Sequence, residues 1–209
     1  MNDTTSTVPG SSTNGDDVEL DSIQSYLGDM LALEQHIGAP LQRQLEIDET
    51  QNYARASTLT ARIKSLTDAH AAALHARLQA LGGGNGLNPV KSAWSGLLGA
   101  GAAAVGSVRK TKVSKNLRDD YTALSLATVS YSMLNATALG FGDSETASIA
   151  QRHLADYARL IMDLGRVIPE VVLQELSDSG QRVNLGAADQ AERDVEQSWR
   201  SQSESSTRN

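Results

Sequence analysis

Apolar residues along this 209-residue chain recur every three or four positions in four long runs, the spacing that gathers them on one face of an α-helix. The first run predicts a helix from about Val18 to Glu46, with Ile23, Leu27, Met30, Glu34, Ile37, Leu41 and Leu45 on its inward stripe. Pro40 should bend this helix without ending it, because the stripe continues beyond it. The second helix is predicted from about Glu49 to Leu81, with Ala56, Leu59, Ile63, Leu66, His70, Leu74, Leu78 and Leu81 inward and a triple glycine as its stop. Ser114, a plausible N-cap, opens the third, which runs to Leu139 with Leu117, Tyr121, Leu124, Thr128, Tyr131, Asn135 and Ala138 inward. Asp143 caps the fourth, which runs to about Leu176 with Ala150, His153, Tyr157, Leu160, Leu164, Ile168 and Val171 inward and a bend at Pro169.

Connection lengths select the topology. The links near Asp48 and at "GFGDS" are short, so each flanking pair must form an antiparallel hairpin. Residues 82–113 are long enough to cross the whole bundle. The expected fold is therefore all-α: an antiparallel four-helix bundle over residues 18–176, with one long crossover between the second and third helices, the ferritin-like arrangement. Residues 1–17, rich in Ser, Thr, Asn, Gly and Asp, read as a disordered tail, and residues 177–209 as a second, loosely ordered or disordered one.

Composition narrows the chemistry. There is no cysteine, which excludes disulfides, zinc–thiolate sites and thiol catalysis. The first seventeen residues have neither a basic cluster nor an apolar core, so a cytoplasmic protein without a signal or anchor is expected. The net charge of -7 is unevenly spread: no acid occurs from Ala69 to Arg118, where seven basic residues fall. Within the crossover, the small apolar run from Ala93 to Val108 leads into Arg109, Lys110, Lys112, Lys115 and Arg118. The run is shorter than the ~20 residues a membrane span needs, and its four-residue ridge Gly96, Ala100, Ala104 would let a helix of a second copy approach closely. A homo-oligomer, most simply a dimer, and an anionic membrane surface or polymer at residues 109–118 are the expected partners. No nucleic-acid motif is present.

"HAAALHARLQALGG" resembles the second helix of ferritin-like proteins, and "YLGDMLALEQHIGAPL" is similar to the first helix of the YciE/YciF-like ferritin-like stress proteins. "KVSKNLRDDYTALSLATVSYSMLNATAL" and "HLADYARLIMDL" look like uncharacterised bacterial proteins of the same fold. This resemblance implies a di-metal site of carboxylates and histidines between the helices, binding iron or another divalent metal. Glu34 and His70 stand where ligands are wanted, but Thr67 and Ala150 occupy the two places three residues before His70 and His153 where a Glu is required. In the third helix the corresponding positions are Leu124, Ser125 and Ala127. The largest set that can be assembled is Glu34, His70, His153 and Asp156, an incomplete centre.

The expectation is thus a non-enzymatic, structural or stress-associated ferritin-like protein. A metal-binding or iron-oxidising protein using Glu34 and His70 is the first alternative, and a binder of anionic surfaces through residues 109–118 the second. Buried Glu34 and His70 should lie within about 6 Å of each other. His36 and His75, off the stripes, should be solvated. Tyr121, Tyr131 and Tyr157 should pack with their hydroxyls satisfied, and Asp119 and Asp120 should be solvated charges.

Overall fold

A computed structural model describes residues 13–83 and 112–206, and all regular structure among them is α-helical. The helices are α1 (Thr13–Leu45), α2 (Asp48–Gln51), α3 (Ala54–Ala80), α4 (Val113–Gly140), α5 (Ser144–Asp178) and α6 (Ala187–Ser206). None of the described helices is long and apolar enough to cross a membrane.

Side-chain contacts fix the directions of the four long helices. Gln24 reaches the Leu81 carbonyl and Gly38 lies against Thr67, so α1 and α3 run antiparallel. Glu34 meets Tyr131 and Gln44 meets Asp120, which sets α4 antiparallel to α1. Ser114 meets Glu175 and Tyr131 meets His153, setting α5 antiparallel to α4. Arg77 meets Thr146 and Arg62 meets Asp163, closing the square between α3 and α5. The end of α3 and the start of α4 consequently lie at opposite ends of the bundle.

Burial follows a sharper period than 3.6. In α4 the buried positions are Val113, Leu117, Asp120, Leu124, Ala127, Tyr131, Leu134 and Ala138, alternating steps of four and three. Ile23, Leu27, Met30, Glu34, Ile37, Leu41 and Gln44 do the same in α1. A mean step of 3.5 keeps one seam facing the centre over the full length of a bundle. It also corrects the expected stripe of α4, where Tyr121, Thr128 and Asn135 are only half-buried and Asp120, Ala127 and Leu134 take the inward places.

Several boundaries differ from expectation for local reasons. α1 starts at Thr13, inside the expected tail, and continues through Pro40. The second helix is interrupted at Asn52 and Tyr53, because the short α2 turns the chain between α1 and α3 and the Tyr53 hydroxyl is held by Asp178 at 3.0 Å. Lys112, with extended backbone, occupies the cap position of α4; Ser114 lies in the first turn, where its amide and hydroxyl donate to Glu175. Asp143 caps α5 as expected, accepting from the Thr146 amide at 2.9 Å, after a turn that Gly142 enters at φ 75°, where a side chain would be strained.

Residues 187–206, expected within a loosely ordered tail, carry α6. Gly165 leaves room for it: a Cβ there would come within 3.3 Å of Val195. Arg166 then reaches Glu196 at 2.8 Å and Arg55 reaches Glu192 at 3.9 Å.

Candidate functional site

Each of the four long helices places at least one polar residue at the same depth, and these meet on the bundle axis. Glu34 of α1, His70 of α3, Tyr131 of α4, and His153 and Tyr157 of α5 are all buried. The Tyr131 hydroxyl donates to Glu34 Oε1 and the Tyr157 hydroxyl to Oε2, so each carboxylate oxygen has a phenol donor. Burial, then the Glu34 charge, pushes both phenols well above their ordinary range, so they stay protonated and can donate.

Proton bookkeeping fixes the rest of the network. Tyr131 has one hydroxyl proton and gives it to Glu34, so at 3.0 Å His153 Nδ1–H must donate to the Tyr131 oxygen. Likewise the Thr67 hydroxyl donates to the Tyr157 oxygen at 3.1 Å. Burial, reinforced by His70 and Arg152, pushes His153 down to about 3, so its ring is neutral with the proton on Nδ1 and a lone pair on Nε2.

His70 sits between two carboxylates. Its Nε2 is 3.3 Å from Asp156 Oδ2, and its Nδ1 is 3.4 Å from Glu34 Oε1 without a hydrogen bond that satisfies it. Asp156, a quarter exposed, also holds Arg159. The His70 and His153 rings stack at 3.8 Å with 14° between their planes, and Tyr157 meets His70 edge-on at 4.8 Å. Thus all four residues expected at a metal site, Glu34, His70, His153 and Asp156, converge. Tyr131 and Tyr157, expected to pack with their hydroxyls satisfied, do so and complete the layer.

One ligand atom each from Glu34, His70 and His153 can be chosen within 4.8 Å of one another, and a carboxylate with two imidazoles suits a borderline divalent ion. A di-metal centre does not fit: it needs four carboxylates to bridge and neutralise two ions, and the buried layer holds one. A single ion does not fit the arrangement as it stands either. An ion binds in the plane of an imidazole, and two nearly parallel rings direct their lone pairs along lines that do not converge. Both Glu34 oxygens, moreover, already accept from phenols, with which an ion would compete.

The remaining candidates are dispersed. His75 is exposed, whereas His36 is half-covered. Lys112, Lys115 and Arg118 lie exposed at the start of α4, and Arg118 is paired with Asp119 at 2.6 Å. Arg109, Lys110 and the 93–108 run lie outside the described residues. Asp120 contradicts its expected solvation: it faces the core, 6% exposed, because the alternating seam takes it and leaves Asp119 on the flank. In comparisons with family models, curated proteins and solved structures, nothing matches this chain.

Proposed function

We propose that the chain is a ferritin-like bundle whose central layer has become a closed hydrogen-bonded lock, and that it serves as a non-enzymatic structural or stress-associated protein. The observation that carries this is that both Glu34 oxygens accept from buried phenols, so that an ion would have to compete with two phenol hydrogen bonds for the layer's one buried carboxylate. The antiparallel hairpins, joined by a long connection between opposite ends of the bundle, support the ferritin-like assignment.

A structural role also needs a contact surface. α4 carries no charge from Tyr121 to its end at Gly140 and exposes Leu126, Val129 and Met133 on its outer side, a face suited to a second copy of the chain. The deciding experiment is anaerobic loading of purified protein with ferrous iron followed by oxygen. No stoichiometric fast oxidation and no retained metal are expected. Two tightly held irons per chain would favour the iron-oxidising alternative, and sedimentation of Val129→Glu beside the native chain tests the dimer.

A further inference from the structure

We propose that Asp120 is held in the folded protein as a neutral carboxylic acid paired to Gln44 through two hydrogen bonds, and that loss of its proton loosens this end of the bundle. Gln44 Nε2 donates to Asp120 Oδ1 at 2.9 Å, joining α1 to α4. The other atom of each group, Gln44 Oε1 and Asp120 Oδ2, is buried with no hydrogen-bond partner among the described residues. Two acceptors left over on one pair of groups are a costly arrangement in a core. A single proton on Oδ2 resolves both, since the acid O–H then donates to the amide oxygen while the amide N–H donates to the acid carbonyl.

Among the described residues no donor reaches Oδ2. Helix register places Thr60 of α3 and Leu164 and Val167 of α5 at this depth, all uncharged. The buried hydroxyls of Thr60, and of Thr50 on α2, make no hydrogen bond. The nearby cations are engaged elsewhere: Arg118 with Asp119, Arg62 with Asp163, Arg166 with Asp163 and Glu196, and Arg55 with Glu170 and Glu192. Tyr53 donates to Asp178, and the Ser114 donors are taken by Glu175. Arg43 and Glu46 of α1 are exposed. Asp119, the adjacent charge, repels a second negative charge. Burial first, and Asp119 after it, outweigh the Gln44 hydrogen bond and push the Asp120 carboxyl up to about 7.

Asp120→Asn tests this directly, because an amide presents to Gln44 the same donor and acceptor as the neutral acid but cannot ionise. Urea unfolding of both proteins at pH 5 and pH 8 is the measurement. The folding constant of the native chain should fall relative to Asp120→Asn by about tenfold per pH unit through the interval between the usual carboxylate range and 7. An unchanged ratio, or one moving the other way, overturns the proposal. If the variant does not fold, the ¹³C signal of the Asp120 carboxyl in the native chain decides: titration well above the usual carboxylate range upholds it, and titration within that range overturns it.

Discussion

The bundle contains two polar layers built from the same seam and satisfied to different degrees. In the central layer Glu34, Tyr131, Tyr157, Thr67 and His153 form a network with one main gap, His70 Nδ1. Toward the other end Gln44, Asp120 and Thr60 share one hydrogen bond and leave three acceptor-capable atoms orphaned. The difference lies in donor supply. Two phenols, a hydroxyl and an imidazole N–H surround one carboxylate in the centre, whereas one amide faces one carboxyl at the end. A buried carboxyl poorly supplied with donors takes up a proton.

Removing the acid from each layer should therefore give the largest contrast. Glu34→Leu strands two buried phenols and takes away the carboxylate beside His70, and a loss of about 3–5 kcal/mol in urea unfolding is expected. The double change Gln44→Leu with Asp120→Leu removes the hydrogen-bonded pair of the weaker layer together. It should fall within about 1 kcal/mol of the native chain at pH 6, because the two orphaned atoms of the pair disappear with it. Equal losses in the two experiments would erase the distinction between the layers.

The layers also respond to pH in opposite senses. His153 is neutral in the fold down to about 3, while an unfolded imidazole takes a proton near 6.5. Its contribution is complete above 6.5 and is lost as pH falls toward 3, by about 1.4 kcal/mol per unit. Asp120 holds its proton up to about 7 in the fold, while an unfolded carboxyl releases it near 4. Its contribution is complete below that and is lost as pH rises toward 7. Between about pH 4 and 6.5 the two slopes cancel. His153→Gln should uncover the Asp120 slope, so that stability declines with rising pH across this interval, and a variant as flat as the native chain would refute the opposition.

Much of this was legible in the sequence, and the misses share a cause. Glu34 and His70 stand out because each interrupts an apolar stripe between strong markers, Met30 and Ile37 on one side, Leu66 and Leu74 on the other. Their approach to 3.4 Å meets the expected 6 Å. Gln44 and Asp120 were hidden because steps of three and four allow two stripes through the same residues. In α4, Leu117, Leu124, Tyr131 and Ala138 belong to both stripes, and only packing decides whether Asp120 or Tyr121 lies between them. The charged doublet Asp119–Asp120 further suggested water on both sides. α6 was hidden by its Ser, Glu and Gln content, since what positions it is Gly165 and two arginines on other helices.

The smallest effect offers the cleanest comparison, because it uses one isosteric change at two places on one helix. Thr60 and Thr67 are both buried in α3, at 0% and 1% exposure, so replacement by Val exchanges a hydroxyl for a methyl with little change in shape. Their hydroxyls differ in employment. That of Thr67 donates to the Tyr157 oxygen and so supports the phenol that in turn holds Glu34. That of Thr60 has no partner among the described residues. Thr67→Val should then destabilise the bundle by about 1 kcal/mol, the net worth of one buried hydrogen bond. Thr60→Val should be neutral or stabilising by up to about 1 kcal/mol, because an unsatisfied buried hydroxyl disappears and apolar contact replaces it. Paired urea titrations at pH 6 resolve the sign. If Thr60→Val destabilises as much as Thr67→Val, its hydroxyl has a donor or acceptor role in the folded protein, and Oδ2 of Asp120 is the group it would serve; the end layer would then be as well satisfied as the centre, and the carboxyl of Asp120 would have no need of its proton.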